Sequence, residues 1–161
     1  MAFHVCVVGP DDPCDDAVKA AAEEIGRLLA RAGAVVVNGG LGGAMEAASR
    51  GAASEGGVVL GILPGLSRAE GNPHLTVAVA TGMGEMRNVL NVRTADALIA
   101  VAGEFGTLSE IAFALKTGVP VIGLRTWELM KADGERVDAI VRVSTPEEAV
   151  REALARVGPR A

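Results

Sequence analysis

The chain has 161 residues, half of them hydrophobic and 22% charged, with a net charge of −5; that length suits one domain over 1–161 with a complete core. No Lys/Arg run or aromatic ladder points to nucleic acid, no apolar stretch approaches the roughly 18 residues of a membrane span, and no basic segment with a long apolar run opens the chain as a secretory leader would. Cys6 and Cys14 are too few and wrongly spaced for a metal or CxxC site, so a reducing cytoplasm is expected.

Residues 3–8 form an apolar run that stops at Gly9-Pro10. Residues 15–32 set Ala17, Ala20, Ala21, Ile25, Leu28 and Leu29 at helical spacing. A short strand over 34–37 leads into the glycine run 39–43, and an alanine-rich helix follows over 44–54. Residues 57–63 read as a strand closed by Pro64-Gly65, 67–73 as a polar loop and 75–80 as a further strand. The pattern then predicts a helix over 85–94, a buried strand over 97–101, a helix over 107–116 and a strand over 119–124. Residues 127–137 have no period and read as a surface excursion, before a last strand over 138–143 and a closing helix over 146–157.

Near-continuous apolar strands alternating with helices predict an α/β fold: one doubly wound, Rossmann-like domain of about seven mostly parallel strands with helices on both faces. Such sheets bind ligands beyond the carboxyl ends of their strands. In this chain those ends carry Gly9-Pro10, the 39–43 run, Pro64-Gly65, Thr81-Gly82 and the 103–107 turn. With three Phe, one Trp and no Tyr, the core must be aliphatic. The apolar surplus predicts burial between subunits, in a homodimer or larger homo-oligomer.

The run Gly39, Gly40, Leu41, Gly42, Gly43 matches neither GxGxxG nor a P-loop. It reads either as a turn that lets a phosphate or sugar approach a helix N-terminus or as a tight strand–helix turn. Gly103, Glu104, Phe105, Gly106 and Thr107 stand between a strand and a helix, where free N–H groups and the helix dipole favour an anion and the Thr107 hydroxyl adds a donor. The competing reading is a capping box, Thr107-Leu-Ser-Glu110, like Thr145-Pro-Glu-Glu148 further on. Arg87 sits at a helix start, where positive charge is mildly unfavourable unless an anionic ligand offsets it; its neighbours Met86, Val89 and Leu90 look core-facing, while Arg87, Asn88 and Asn91 look like a polar face. Asp11, Asp12, Asp15 and Asp16 read as helix caps rather than metal ligands. His4 and His74 have no catalytic partners, and no metal site or resident cofactor is expected.

Together these residues resemble a known family. Gly-Gly-x-Gly-Gly-x-Met ending at Met45, the strand closed by Pro64-Gly65, Arg87, Thr94-x-Asp96-Ala97 and Gly-x-x-Gly-Thr-x-x-Glu over 103–110 are similar to the "lonely guy" proteins, long labelled lysine decarboxylase-like. The likeness covers roughly residues 3–124. Thr126-Trp127 resembles a short bacterial branch that is itself similar to molybdenum-cofactor carrier proteins. The resemblance implies a nucleotide or phosphorylated small molecule as ligand. It implies phosphoribohydrolase activity, releasing base and ribose 5-phosphate from a nucleoside 5′-monophosphate, with Arg87 and Glu110 as the catalytic pair. Gly103, Gly106 and Thr107 would form the phosphate cradle, with Gly9, Gly39, Gly40, Gly42, Gly43 and Met45 completing the site. In that mechanism Glu110, at a helix N-terminus, stays ionised and stabilises positive charge on the ribose.

The retained Arg87 and Glu110 place the phosphoribohydrolase slightly ahead, and two departures favour the alternative, a non-catalytic nucleotide or molybdenum-cofactor (pterin phosphate) carrier. Glu104 places a carboxylate within the cradle, and Gly84-Glu-Met-Arg-Asn88 lacks the family's His and Lys. Lysine decarboxylation is not expected, because it needs an electron sink such as pyridoxal phosphate and no Schiff-base lysine is arguable.

Overall fold

Seven short aliphatic runs pair into one parallel sheet in a computed structural model that describes residues 1–157; positions 158–161 of the expected domain lie outside the described residues. The strands are β1 (His4–Val8), β2 (Val35–Asn38), β3 (Val59–Leu63), β4 (Val77–Ala80), β5 (Ala97–Val101), β6 (Val121–Leu124) and β7 (Ile140–Val143). The helices are α1 (Asp16–Arg31), α2 (Gly43–Ser54), α3 (Asn88–Thr94), α4 (Phe105–Thr117) and α5 (Pro146–Arg156). The strand order is β4-β3-β2-β1-β5-β6-β7, every pair parallel, and this is the doubly wound α/β fold expected from the alternating pattern.

Because side chains alternate across a strand, the register sorts the aliphatic residues into two cores. Val5, Val36 and Val59 lie in one row and belong to the core beneath α1, α2 and α5. Cys6, Val37, Leu60 and Val77 lie in the next row, on the opposite face, where Val92, Ile111 and Ala114 from α3 and α4 pack. That second cover stops short of the β4 edge. Val77 and Val79 remain exposed on β4 beside half-buried Leu60.

Several local expectations shift. The helix over 85–94 is a 3-10 turn, Gly84–Arg87, followed by α3. The helix placed at 107–116 begins two residues earlier, at Phe105. The polar loop 67–73 contains a 3-10 turn, Arg68–Glu70, capped reciprocally by Ser67 and Glu70. The 127–137 excursion is pinned by an antiparallel bridge between Met130 and Arg136.

Candidate functional site

In this strand order the chain reverses direction of growth at β1, whose neighbours are β2 and β5, and open α/β sheets bind ligands at that crevice. A cavity of about 480 Å³ opens there, within the range of small-molecule sites. Its walls are the β1–α1 loop from Gly9 to Pro13, Gly39, Leu41 and Met45 from the β2–α2 connection, Glu85, Arg87 and Asn88 before and at the start of α3, and Glu104, Gly106, Thr107 and Glu110 of the β5–α4 connection.

The two glycine-rich helix starts differ. At α2 the leading amides are already engaged: Gly43 N–H donates to Asp12 Oδ2 at 3.0 Å, Ala44 N–H to Pro10 O at 2.9 Å and Met45 N–H to Gly42 O at 3.1 Å. That start is a tight structural turn, with Asp12 as its anion and Lys19 Nζ 2.6 Å from the other carboxylate oxygen. The Lys19 hydrogen bond first, then the Gly43 amide, hold the Asp12 carboxyl below its usual range. At α4 the position before the helix is Glu104, whose side chain makes no capping bond, and Leu108 N–H is the first amide to bond back, to Glu104 O at 3.0 Å. The amides of Phe105, Gly106 and Thr107 therefore lie ahead of any intrahelical acceptor.

Thr107 is consequently the third residue of α4 and not its cap, which overturns the capping-box reading of Thr107 and Glu110. A genuine cap stands at Thr145, whose hydroxyl accepts from Glu148 N–H at 3.2 Å. Thr107 is only 3% exposed and its hydroxyl has no partner. Leaving such a donor unsatisfied costs about 1–3 kcal/mol.

Arg87, Asn88 and Asn91 are all buried, while Met86 is 68% exposed. The expectation for Met86 is thus corrected, while Leu90 packs against the second core; Arg87 and Asn88 turn inward and line the cavity, and Asn91 is buried against Glu110. Arg87 donates through Nη1 to Asn88 Oδ1 and through Nη2 to Gly39 O at 3.5 Å, and its Nε–H has no partner. Asn88 in turn donates to Ser109 Oγ at 3.0 Å, tying α3 to α4. A Cβ on Gly39 would stand 2.5 Å from Arg87 Nη2 and 2.8 Å from Met45 Sδ, so glycine is what lets the guanidinium lie along the β2 end.

Glu110 is 6% exposed and accepts from Asn91 Nδ2 at 2.7 Å. Burial pushes its carboxyl up to about 7, against the pull of the Asn91 hydrogen bond and the Arg87 charge and with a further push from Glu85. The expectation of a firmly ionised Glu110 is corrected. The residue sits on the second turn of α4, facing the α3 side chains, so desolvation outweighs the helix dipole.

Of the residues singled out in the sequence, Gly9, Gly39, Met45, Arg87, Glu104, Gly106, Thr107 and Glu110 line the cavity; Gly40, Gly42, Gly43, Gly103 and Phe105 stand outside its lining. Phe105 is exposed, its ring centroid 5.7 Å from that of Trp127, and Trp127 Nε1–H donates to Glu104 O at 3.3 Å. Sequence reasoning missed Glu85 and Asn88 in the cavity lining and Asn91 as the hydrogen-bond partner of Glu110. The signal was present in the one-face spacing of Arg87, Asn88 and Asn91. Among the described lining residues Arg87 is the one cation, against Asp11, Asp12, Glu85, Glu104 and Glu110. Among the described residues no His/Cys/Asp/Glu group could hold a metal ion, and no helix is long and apolar enough to cross a membrane.

Comparison with known proteins agrees with this architecture. A molybdenum cofactor binding protein from Rippkaea orientalis superposes with a TM-score of 0.89 at 31% identity, covering 98% of this chain and 99% of that one. The molybdenum cofactor carrier protein of Chlamydomonas reinhardtii superposes with a TM-score of 0.83 at 26% identity, covering 97% and 98%. An uncharacterized protein of Archaeoglobus fulgidus is 43% identical over 148 residues, 92% of each chain. The sequence model of the SLOG cluster4 family matches residues 2–150, and the chain belongs to that family.

Proposed function

We propose that this protein is a single-domain, non-catalytic binder of a phosphorylated small molecule, its cargo a pterin phosphate of the molybdenum-cofactor class. The observation that carries the reading is a pair of orphaned donors in one cavity. Arg87 Nε–H and Thr107 Oγ1 are both buried without partners, beside the uncapped start of α4. Oxygens of a phosphate would satisfy these donors and meet the helix dipole at the same time. The acidic rim suits the other end of such a ligand, since a pterin ring presents N–H donors that carboxylates accept. The likeness to two molybdenum-cofactor proteins supports the same reading.

Phosphoribohydrolase activity is the second reading, favoured by the convergence of Arg87 and Glu110 on one cavity. It is weakened by the state of Glu110, which burial drives toward the neutral acid and which is tied to Asn91. A homo-oligomer is also proposed, the exposed β4 face of Val77 and Val79 being the apolar surface it would cover; a cytoplasmic setting accords with the two free cysteines.

The test is equilibrium dialysis against a molybdopterin-type phosphate and a panel of nucleoside 5′-monophosphates, with assay for free base and ribose 5-phosphate. Retention of the pterin phosphate without release of base is the expected result. Release of ribose 5-phosphate from any nucleotide would establish the hydrolase, and failure to retain the pterin phosphate would refute the carrier.

A further inference from the structure

A second cavity, of about 300 Å³, shares no lining residue with the first. It lies where the carboxyl ends of β5 and β6 meet the first turns of α1 and the start of α5. Its floor is the margin of the first core: Val101 and Leu124 are buried there, and Val18 and Ala21 of α1 pack against the same cluster. Arg125 and Ser144 bring polar groups to this apolar wall. The volume is at the lower end of the small-molecule range, and apolar walls with few polar groups are the usual make-up of such sites.

The backbone marks the same place. Nine described glycines have positive φ, and only two described residues of any other kind do, Ala102 at 50° and Arg125 at 54°. Both line this cavity. A left-handed conformation is costly for an L-residue and open to glycine. The turn itself is fixed by bonds that glycine would make equally well: Ala102 N–H donates to Leu124 O at 3.0 Å, and the Thr126 hydroxyl donates to Ala102 O. What glycine would remove is the methyl and the guanidinium, and both belong to the cavity wall. Backbone strain of this kind collects at ligand sites.

The polar groups narrow the ligand. Among the described residues Arg125 has no ion-pair partner. The start of α5 supplies no second group for an anion, because Glu148 N–H donates to the Thr145 hydroxyl at 3.2 Å and Ser144 N–H to the Glu148 carboxylate at 2.8 Å. That carboxylate also opposes a multiply charged ligand. One fork-shaped cation beside an aliphatic wall matches a single carboxylate, which a guanidinium can hold through two parallel bonds. We propose that this cavity is a second binding site, for a small aliphatic monocarboxylate whose chain lies against Val18, Val101 and Leu124 and whose carboxylate meets Arg125. Nothing in this assignment depends on the ligand of the first cavity.

Hexanoate and hexanol, equal in chain length and different in charge, are the probes, followed by calorimetric titration and by NMR line broadening of the ligand. Hexanoate should bind the native protein about fivefold more tightly than hexanol, the strength of an ion pair at an exposed arginine. Arg125→Gly should remove that preference while the melting temperature holds or rises, since the turn is then relaxed. Ala20→Phe fills the cavity from an exposed position on α1 and should abolish binding of both probes with circular dichroism unchanged. Failure of hexanoate to bind the native protein overturns the site, and so does binding that Ala20→Phe leaves undiminished. Equal affinity for the two probes in the native protein overturns the carboxylate. A melting temperature that falls in Arg125→Gly makes the arginine a structural residue and overturns its role.

Discussion

Replacing Glu110 by Gln should make the protein more stable than its parent above neutral pH and leave it nearly unchanged in acid. The carboxyl is raised from 4.5 to about 7 in the folded chain, chiefly by burial. Between those values the native state holds a proton that the unfolded state has released, so unfolding is favoured increasingly as pH rises. The stability associated with the neutral acid is whole below about pH 4.5 and is lost by the time pH passes the folded value. A shift of that size corresponds to about 3 kcal/mol at 1.36 kcal/mol per unit. Glutamine cannot ionise, fits the same space and can still pair with the Asn91 amide. The advantage of Glu110→Gln over the parent should therefore grow by about 2.5 kcal/mol between pH 5 and pH 8. Urea denaturation of both proteins at the two pH values measures it. Glu23, Glu24 and Glu55, held low by hydrogen bonds from their arginine partners, lose stability at acid pH, but they do so equally in both proteins and cancel in the difference. A gap that does not change with pH would refute the assignment of Glu110 as a buried, desolvated acid.

Thr107→Val removes the orphaned hydroxyl at constant shape. It should leave the melting temperature unchanged or raised by the equivalent of about 1 kcal/mol, while weakening the phosphate-bearing ligand by about tenfold in calorimetric titration. Gly39→Ala should cost about 1–3 kcal/mol in denaturation, because the new methyl displaces Arg87 and the Met45 sulfur, and ligand binding should fall with it. Val79→Glu places a charge on the exposed β4 face; light scattering should show a smaller assembly than the parent, with circular dichroism unchanged.

The sheet was legible because every strand but β6 is an aliphatic run followed within three residues by glycine or proline, and the alternation with helices leaves few other arrangements. The cavity's place was legible too, since Gly9 and Gly39 follow the carboxyl ends of β1 and β2, and Gly106 and Thr107 open the helix after β5, the other neighbour of β1 at the switch point. The inward turn of Arg87, Asn88 and Asn91 was not. Helical spacing separates polar from apolar faces but does not say which of them meets water, and here Arg87 and Asn88 face a cavity and Asn91 faces Glu110. The start of α4 was hidden by a coincidence: Thr107 and Glu110 have capping-box spacing, while the helix opens at Phe105-Gly106 after Glu104, none of which announces a helix. The state of Glu110 depends on how closely α3 closes over it, a tertiary quantity with no local trace.

The contact of Trp127 with the start of α4 has an optical consequence. The chain contains a single tryptophan, its indole N–H donating to the carbonyl of Glu104 and its ring beside Phe105. Emission from the unmodified protein thus comes from a fluorophore fastened to the first turn of α4, next to the uncapped amides. Engagement of those amides by the proposed phosphate should therefore shift the emission of this indole. A titration of the unlabelled protein would read that shift directly.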